Sequence, residues 1–202
     1  MAFLDRQAAG ASGRPSAVRV FAFASVLAPA VAVLACSSPS EPAKADPSVN
    51  EQQTVNRLTN DIWPAVSLYN LQPSQSSPGA VQFSAVIDPH LRSGDAGAAY
   101  TELRSVARQL GRQGEYDPQT RTTHGNDGMT VAHVDVQSVH NDVATLNVCY
   151  TYTHSWYENI ADTQRGPGAS EATVGLVNVD NTWYLHSITD DHVVPGCGAV
   201  NS

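Results

Sequence analysis

Apolar and polar residues alternate regularly over one long stretch, between positions 130 and 190. This alternation predicts four strands, at residues 131–139, 143–157, 172–179 and 183–189. The short polar segments 140–142 and 180–181 separate the first pair and the last pair. Their asparagine and aspartate residues tolerate the left-handed backbone that tight hairpin turns require. The pattern therefore predicts an antiparallel meander.

The two faces of the longest predicted strand differ in character. One face carries mainly threonine, with Asn147 and Cys149. The opposite face is apolar and aromatic, and its residues are Ala144, Leu146, Val148, Tyr150, Tyr152, His154 and Trp156. On the preceding strand, Ala132, Val134 and Val136 are predicted to share the apolar face. One face of the sheet should therefore be covered by other elements, and the other should face solvent.

Two segments before the sheet have apolar residues at steps of three and four. The first stripe is Val55, Leu58, Ile62, Val66 and Tyr69, and the second is Tyr100, Leu103, Val106 or Ala107, and Leu110. These stripes predict two amphipathic helices. Pro64 predicts a kink or a break in the first helix, because proline lacks the main-chain donor. Residues 81–87 fit either a short helix or a strand.

The remaining segments of the chain are predicted to be connections. Residues 115–127 are polar and rich in turn formers, and Gly166-Pro167-Gly168 predicts the tip of a long hairpin. Helices followed by antiparallel strands indicate an α+β domain, with the N-terminal helices packed on one face of a sheet of about four strands. This single domain is predicted to span residues 50–202.

The N-terminus has the pattern of an exported protein. Three arginines precede sixteen uncharged residues, 20–35, a segment that is short for a membrane span. Val33-Leu34-Ala35-Cys36 resembles a bacterial lipobox. We therefore predict a lipoprotein signal peptide at 1–35, a lipid on Cys36 and a flexible tether at 36–49, which is rich in Pro, Ser and Ala. The alternative is an ordinary secretory signal, with Cys36 unmodified.

These features predict a protein of the bacterial cell envelope, lipid-anchored to the outer face of the cytoplasmic membrane. Three of the 11 basic residues and one of the 19 acidic residues lie in the first 35 positions, so the remainder carries a formal charge of −10. Lys44 is the only lysine. Such an acidic chain has no basic patch to neutralise phosphates, which argues against nucleic-acid binding.

The cysteines fit an oxidising compartment. If Cys36 carries a lipid, Cys149 and Cys197 remain to form a disulfide. This bond would close a loop of 49 residues, and in the chain-entropy model it stabilises the fold by about 4 kcal/mol. It would also hold down a C-terminal tail that has little other reason to be ordered. The alternative is two unrelated buried thiols.

Motifs with a chemical signature are few. His133 with Asp135, and Asp190-Asp191-His192, combine imidazoles and acids, but neither group has the ligand spacing of a zinc site. The sequence also contains no Gly-x-Ser-x-Gly nucleophile elbow and no phosphate-binding loop with its lysine. It therefore predicts no metal and no cofactor.

The order of helices, then the hairpin 136–148, then the strand pair 173–185 with its acidic turn before Trp183, resembles the nuclear transport factor 2-like superfamily. It resembles most closely the small exported actinobacterial lipoproteins of that shape; a family of small secreted mycobacterial antigens has a similar order. The resemblance covers residues 50–190. It implies a curved sheet around a conical pocket and self-association into a homodimer through the open sheet face, but no single activity.

Enzymes of that superfamily, of the ketosteroid-isomerase and polyketide-cyclase type, hold an acid or base inside the cone. By strand parity, His154 and His186 are the catalytic candidates, and the candidates to line a ligand pocket are Tyr150, Tyr152, Trp156 and Tyr184. No catalytic set of the superfamily matches residue by residue. The sequence therefore favours a non-catalytic domain that binds an apolar small molecule or docks an envelope protein. The alternative is a cyclase- or isomerase-like enzyme that uses an imidazole.

Overall fold

A computed structural model describes residues 47–93 and 96–198. The predicted signal peptide at 1–35, the lipidation site Cys36 and the tether up to residue 46 lie outside the described residues. Within the described part of the chain, no helix is long and apolar enough to cross a membrane.

The first apolar stripe forms one continuous helical rod. It consists of α1 (Pro47–Arg57), a π-helical turn (Leu58–Ile62) and α2 (Trp63–Leu71). Pro64 has no N–H to offer to the preceding turn, and the wider π-helical turn lies immediately before it. Since Arg57 and Trp63 both keep helical backbone angles, the interruption predicted at Pro64 is a change of helix type without a break.

The next helix along the chain is α3 (Pro78–Val86), so residues 81–87, which fitted either a helix or a strand, are mainly helical. The Ser77 hydroxyl accepts a hydrogen bond from the Ala80 N–H at 3.1 Å, which caps the helix. After the helix, Ile87 forms a parallel bridge with Leu185. The second predicted stripe is confirmed as α4 (Gly97–Gln109), which continues into a 3-10 turn (Leu110–Arg112).

The sheet is an antiparallel meander of five strands in chain order. The two hairpin turns predicted from asparagine and aspartate are confirmed, with positive φ at Asn141, Asp180 and Asn181. The α+β class is therefore confirmed, but the number of strands is five rather than about four. The strands are β1 (Tyr116–Asp117), β2 (Thr122–His140), β3 (Val143–Tyr157), β4 (Gln164–Val179) and β5 (Thr182–Val193).

Two predicted connections are wrong. Residues 115–127 contain β1 and the start of β2 instead of a surface loop, because buried polar partners replace apolar alternation there. Gly166-Pro167-Gly168 lies inside β4, paired with His154, Thr153 and Tyr152. The reversal between β3 and β4 instead contains a 3-10 turn, Ile160–Asp162.

A bulge changes the predicted parity of β2. Val131 pairs with Tyr150 and His133 pairs with Cys149, so Ala132 is an extra residue without a partner on β3. Val134 and Val136 pack against the core as predicted, whereas Ala132 is exposed. The assignment of Ala132 to the apolar face is therefore wrong, because strict alternation does not hold across a bulge.

The core lies between the helices and the predicted inner face of β3. Ala144, Leu146, Val148 and Tyr150 are fully buried, and the ring centroids of Trp63 and Tyr150 are 4.9 Å apart. On the opposite face, Cys149 forms a disulfide with Cys197, with their Cα atoms 5.6 Å apart. The predicted faces of β3 and the predicted disulfide are both confirmed.

Candidate functional site

Two of the predicted site residues do not lie on the inner face of the sheet. Tyr184 pairs with Val177, one position out of phase with the fully buried pair Leu176 and Leu185. His186 is the extra residue of a bulge between Leu185 and Ser187, and its side chain is half exposed. The prediction that both residues face a shared pocket is therefore wrong. Leu185 before the bulge and Ile188 after it both face the core, so simple alternation counted from Ile188 puts Tyr184 and His186 on the wrong face.

His186 instead takes part in a surface cluster around a buried carboxylate. Asp88 accepts hydrogen bonds from the His90 N–H at 2.8 Å, and its two oxygens contact Nδ1 of His90 at 3.0 Å and Nδ1 of His186 at 2.9 Å. The Asp88 side chain is only 4% exposed, yet it lies close under the surface. Burial alone would raise the pKa of Asp88, but the hydrogen bonds from His186 and His90 hold it below its usual value.

We expect Asp88→Asn to change how stability depends on pH. A lowered folded-state pKa means that the contribution of Asp88 is present above its unfolded pKa of about 3.9 and is lost as the pH falls through the folded pKa. The variant should lose about 1–2 kcal/mol at about pH 7 and show a weaker acid dependence. Urea unfolding at about pH 7 and about pH 3 measures the loss of stability and its acid dependence. Asp135→Asn, at an exposed position, is the control. Equal acid dependence in both proteins would contradict the assignment.

His154 continues the inner face of β3 and lines a cavity of about 300 Å³ beyond the end of β5. The partners of His154 and Tyr152 on β4 are Gly166 and Gly168, which carry no side chains, and Gly168 lines the cavity. A Cβ on Gly168 would lie 2.5 Å from the Tyr152 ring. The opposite wall is the C-terminal segment 193–196, held near β4 by the Val194 N–H, which donates to the Ala169 carbonyl at 3.0 Å.

Alanine at the two glycines should therefore have different effects. Gly168→Ala forces the Tyr152 ring to move and should destabilise the protein by about 1–3 kcal/mol. Gly166→Ala places its Cβ at an ordinary 3.5 Å from Trp156 and should change stability by no more than about 0.5 kcal/mol. Thermal unfolding of the two variants side by side tests this difference. Equal unfolding temperatures would contradict the close approach at Gly168.

A pair of histidines lies at the inner end of this cavity. Nε2 of His154 is 2.9 Å from Nδ1 of His124, and Nε2 of His124 is 3.1 Å from the Thr122 hydroxyl. Burial, and then the positive charge of Arg112, lower the pKa of both imidazoles. The pair is therefore favoured in its neutral form, in which the N–H of one ring donates a hydrogen bond to the unprotonated nitrogen of the other.

Arg112 borders both this cavity and a larger cleft. It follows Gly111, and both residues adopt left-handed backbone angles, with φ of 64° and 61°. For arginine this conformation is strained, and such strain persists only where surrounding contacts impose it. The Arg112 Nε donates to the Glu115 carboxylate. The guanidinium is thus held between the two cavities.

The larger cleft has a volume of about 810 Å³ and lies between α4 and the end of β5. Asp190, with φ of 55°, is part of a second bulge in β5. This bulge turns the next residue, Asp191, inward, and the Tyr150 hydroxyl donates to its Oδ1 at 2.5 Å. The Gly111 N–H in turn donates to the Tyr150 hydroxyl oxygen at 3.0 Å.

The Asp191 carboxyl group in the wall of the cleft and the buried Tyr150 hydroxyl group behind it therefore lie in an unusual environment. Burial raises the pKa of Asp191, although the hydrogen bond from Tyr150 opposes this. Taken as a whole, the Asp191 residue is exposed at the rim of the cleft. Its carboxyl group, however, accepts the hydrogen bond from the fully buried Tyr150. Burial and then the Asp191 charge raise the pKa of Tyr150. A carboxyl that holds a proton more tightly than usual can both donate and accept hydrogen bonds.

Two buried asparagines fix the backbone on which Arg112 depends. Nδ2 of Asn70 donates to the carbonyls of Ala107 and Leu110, at 3.0 and 3.1 Å. Nδ2 of Asn126 lies 3.2 Å from Oδ1 of Asn70 and 3.3 Å from the Gly111 carbonyl. Together with the Gln113 N–H, which also donates to the Leu110 carbonyl, these side chains satisfy the carbonyls at the end of α4 and in the 3-10 turn that follows.

Sequence reasoning found His154, Tyr150 and Tyr152 but missed most of their partners. The missed residues of the site are Asn70, Arg112, His124, Asn126 and Asp191. The only signals available were a helix end followed by glycine at position 111 and the local acid cluster at 190–191. Among the described residues, no group of three or more His, Cys, Asp or Glu side chains is arranged to hold a metal ion.

The fold and site define an α+β protein with helices on one face of a meander and two cavities at one end of it. No family model matches the chain, and no curated protein does either. Among solved structures, the chain is similar to the intermembrane space region of the chloroplast protein ARC6, with a TM-score of 0.36 and 12% identity over 75% of this chain and 98% of that one. A similarity this low does not indicate a function.

Proposed function

We propose that this protein is an exported bacterial lipoprotein whose folded domain binds a small molecule without transforming it, at the outer face of the cytoplasmic membrane. The observation that carries the proposal is the cleft of about 810 Å³, whose wall contains Asp191, held by a hydrogen bond from the buried Tyr150. This volume falls within the range of small-molecule sites, roughly 300–1,000 Å³. The signal-like N-terminus and the disulfide are consistent with an exported chain.

The proposal includes membership of the nuclear transport factor 2-like superfamily, with a curved sheet partly enclosing the helices. In this domain the centre of the sheet is filled, because Trp63 packs on Tyr150. The ligand site is therefore assigned to the end of the sheet. Tyr150 lines neither cavity and acts through the hydrogen bond from its hydroxyl group to Asp191, whereas Tyr152 lines the smaller cavity.

The lining of the cleft indicates the kind of ligand. Four acidic residues lie along it, namely Glu102, Glu115, Asp190 and Asp191, against Arg112 and His192. Carboxylates accept hydrogen bonds and attract positive charge. A neutral molecule rich in hydroxyl groups, or one with an amine, therefore matches this surface better than an anion does.

Native mass spectrometry of the lipidated protein, purified from the membranes of its own cells, tests the proposal. The expected result is a lipid mass on Cys36, one disulfide and a retained small molecule. Asp191→Asn should reduce the retained fraction, whereas Asp135→Asn, on an exposed part of β2, should not. Protein that carries no small molecule and binds none from an envelope extract would contradict the proposed function.

The second candidate is a cyclase- or isomerase-like enzyme. It is favoured by one observation, that His154 lines a cavity beside Arg112 while Asp191 lines the adjoining cleft. If the retained molecule is returned chemically changed, His154→Phe should abolish that turnover and His186→Phe should not, because His186 contacts Asp88 at the surface. A ligand that is returned unchanged favours the binding protein.

A further inference from the structure

The smaller cavity differs from the cleft in charge. Its lining contains no acidic residue, and its cationic or titratable basic groups are Arg112 and His154. The cleft on the other side of Arg112 has four acidic residues along its walls. An anion entering this end of the protein is therefore directed to the smaller cavity by the electrostatic potential.

Both basic groups have hydrogen-bonding atoms to spare. Arg112 uses Nε for Glu115, and its two Nη groups have no partner among the described residues. His154 uses Nε2 for His124, and its Nδ1 has no partner in the same part of the chain. Two adjacent N–H groups of a guanidinium and one imidazole nitrogen are donors that suit a carboxylate.

Apart from Thr151, the rest of the cavity is lined by apolar side chains and glycines. Its walls include the Tyr152 ring, Pro167, Ala169, Val194 and Pro195. The volume of about 300 Å³ corresponds to about ten non-hydrogen atoms at roughly 30 Å³ each. The occupant should therefore be small, with an apolar body and one charged end.

We propose that this cavity binds a small carboxylate with an apolar body, whose carboxylate contacts the Nη groups of Arg112 and Nδ1 of His154. The proposal rests on the proposed small-molecule function and assigns a different ligand class, an anion, to the smaller cavity beside the acidic cleft. The tail 193–196 then covers the ligand. His124 acts as a positioning residue, because its hydrogen bond to Nε2 leaves Nδ1 as the nitrogen that meets the carboxylate.

The pH dependence of binding follows from the charged groups around His154. These groups are Arg112, His124 and Glu115, of which the two basic residues disfavour a charged His154 and Glu115 favours it. A bound carboxylate adds negative charge next to the imidazole and favours its protonated form. Binding should therefore take up a proton, and the affinity should increase as the pH falls from about 8 to about 6.

The test is calorimetric titration of the full lipidated protein in nanodiscs with three probes of similar size: benzoate, benzyl alcohol and benzylamine. Benzoate should bind at least about tenfold more tightly than the other two, and more tightly at about pH 6 than at about pH 8. Arg112→Gln should weaken benzoate binding by about tenfold or more. His154→Gln should remove the pH dependence, and the exposed control His133→Gln should change neither property.

Equal binding of benzoate and benzyl alcohol by the unaltered protein would overturn the proposal without any variant. Unchanged benzoate affinity in Arg112→Gln would overturn it as well. A further outcome is that benzoate fails to bind while a ligand from the envelope is retained and its retention is reduced in Asp191→Asn. In that case the proposed ligand class is wrong and the proposed function stands. If no probe binds and no ligand is retained, both fail.

Discussion

Replacing Asn70 with aspartate is expected to lower the free energy of unfolding by about 3–5 kcal/mol at about pH 7. The Asn70 side chain is 1% exposed, and its amide group donates to the carbonyl oxygens of Ala107 and Leu110. Aspartate would remove both donors and place a carboxylate against two acceptors. The buried charge and the loss of one hydrogen bond at each of the two carbonyls then act in the same direction.

Urea unfolding of the variant provides the measurement, and Asn60→Asp provides the control. Asn60 is an exposed residue of the same helical rod, so its substitution should change stability by no more than about 0.5 kcal/mol. The deficit of Asn70→Asp should shrink as the pH falls, because protonation removes the buried charge. Similar unfolding curves for the two variants would show that the Asn70 amide does not support the end of α4.

The Asn70→Asp substitution should also disturb the geometry of the ligand site. Asn70 and Asn126 hold the carbonyls of Leu110 and Gly111, and the Gly111 N–H bonds the Tyr150 hydroxyl. Arg112 follows directly in a strained conformation that these contacts impose. Loss of the asparagine network therefore releases Arg112 from its place between the two cavities.

Much of the fold could be predicted because it depends on local patterns. Steps of three and four residues located the helices at 55–69 and 100–110, and alternation located the long strand with its buried face. Hairpin turns at 141 and 180–181 followed from residues that tolerate positive φ. The pairing of Cys149 with Cys197 followed from the compartment and the count of cysteines.

The errors about which face of the sheet Ala132 and His186 occupy have one common physical cause. A bulge inserts a single residue, and every side chain beyond it then changes face relative to simple alternation. Ala132 and His186 are such residues, and the bulge at Asp190 is what turns Asp191 toward Tyr150. Periodicity contains no information about where a strand pair will slip by one residue.

The site was only partly predictable because its groups are distant in sequence. Arg112 follows a helix, His124 lies in a segment predicted to be a loop, and Asp191 lies near the end of the last strand. Their chemistry comes from proximity, through contacts such as the one between His124 and His154, thirty residues apart. Polar residues such as Asn126 are buried because they meet partners, and hydrophobicity gives no sign of this.

Removing the disulfide is expected to have a second large effect, on both stability and binding. Cys149 and Cys197 are 48 positions apart, and a crosslink over such a loop stabilises the folded state by about 4 kcal/mol in the chain-entropy model. Cys197→Ala should lower the free energy of unfolding by about 2–4 kcal/mol. Because the bond lies just beyond residues 193–196, the wall of the smaller cavity should loosen and benzoate affinity should fall.

Comparing the two single cysteine variants separates the crosslink from packing. Cys149 is buried in the sheet, whereas Cys197 is only partly covered, so Cys149→Ala should lose somewhat more stability than Cys197→Ala through the space that it leaves. Reduced wild-type protein should match Cys197→Ala, because both lack the crosslink and keep the Cys149 side chain. If reduction leaves both the urea midpoint and benzoate binding unchanged, the bond neither stabilises the domain nor holds the cavity wall. A loss of benzoate binding with an unchanged midpoint would mean that the crosslink acts on the tail alone, since Val194 is the last described residue whose main chain is bonded to β4.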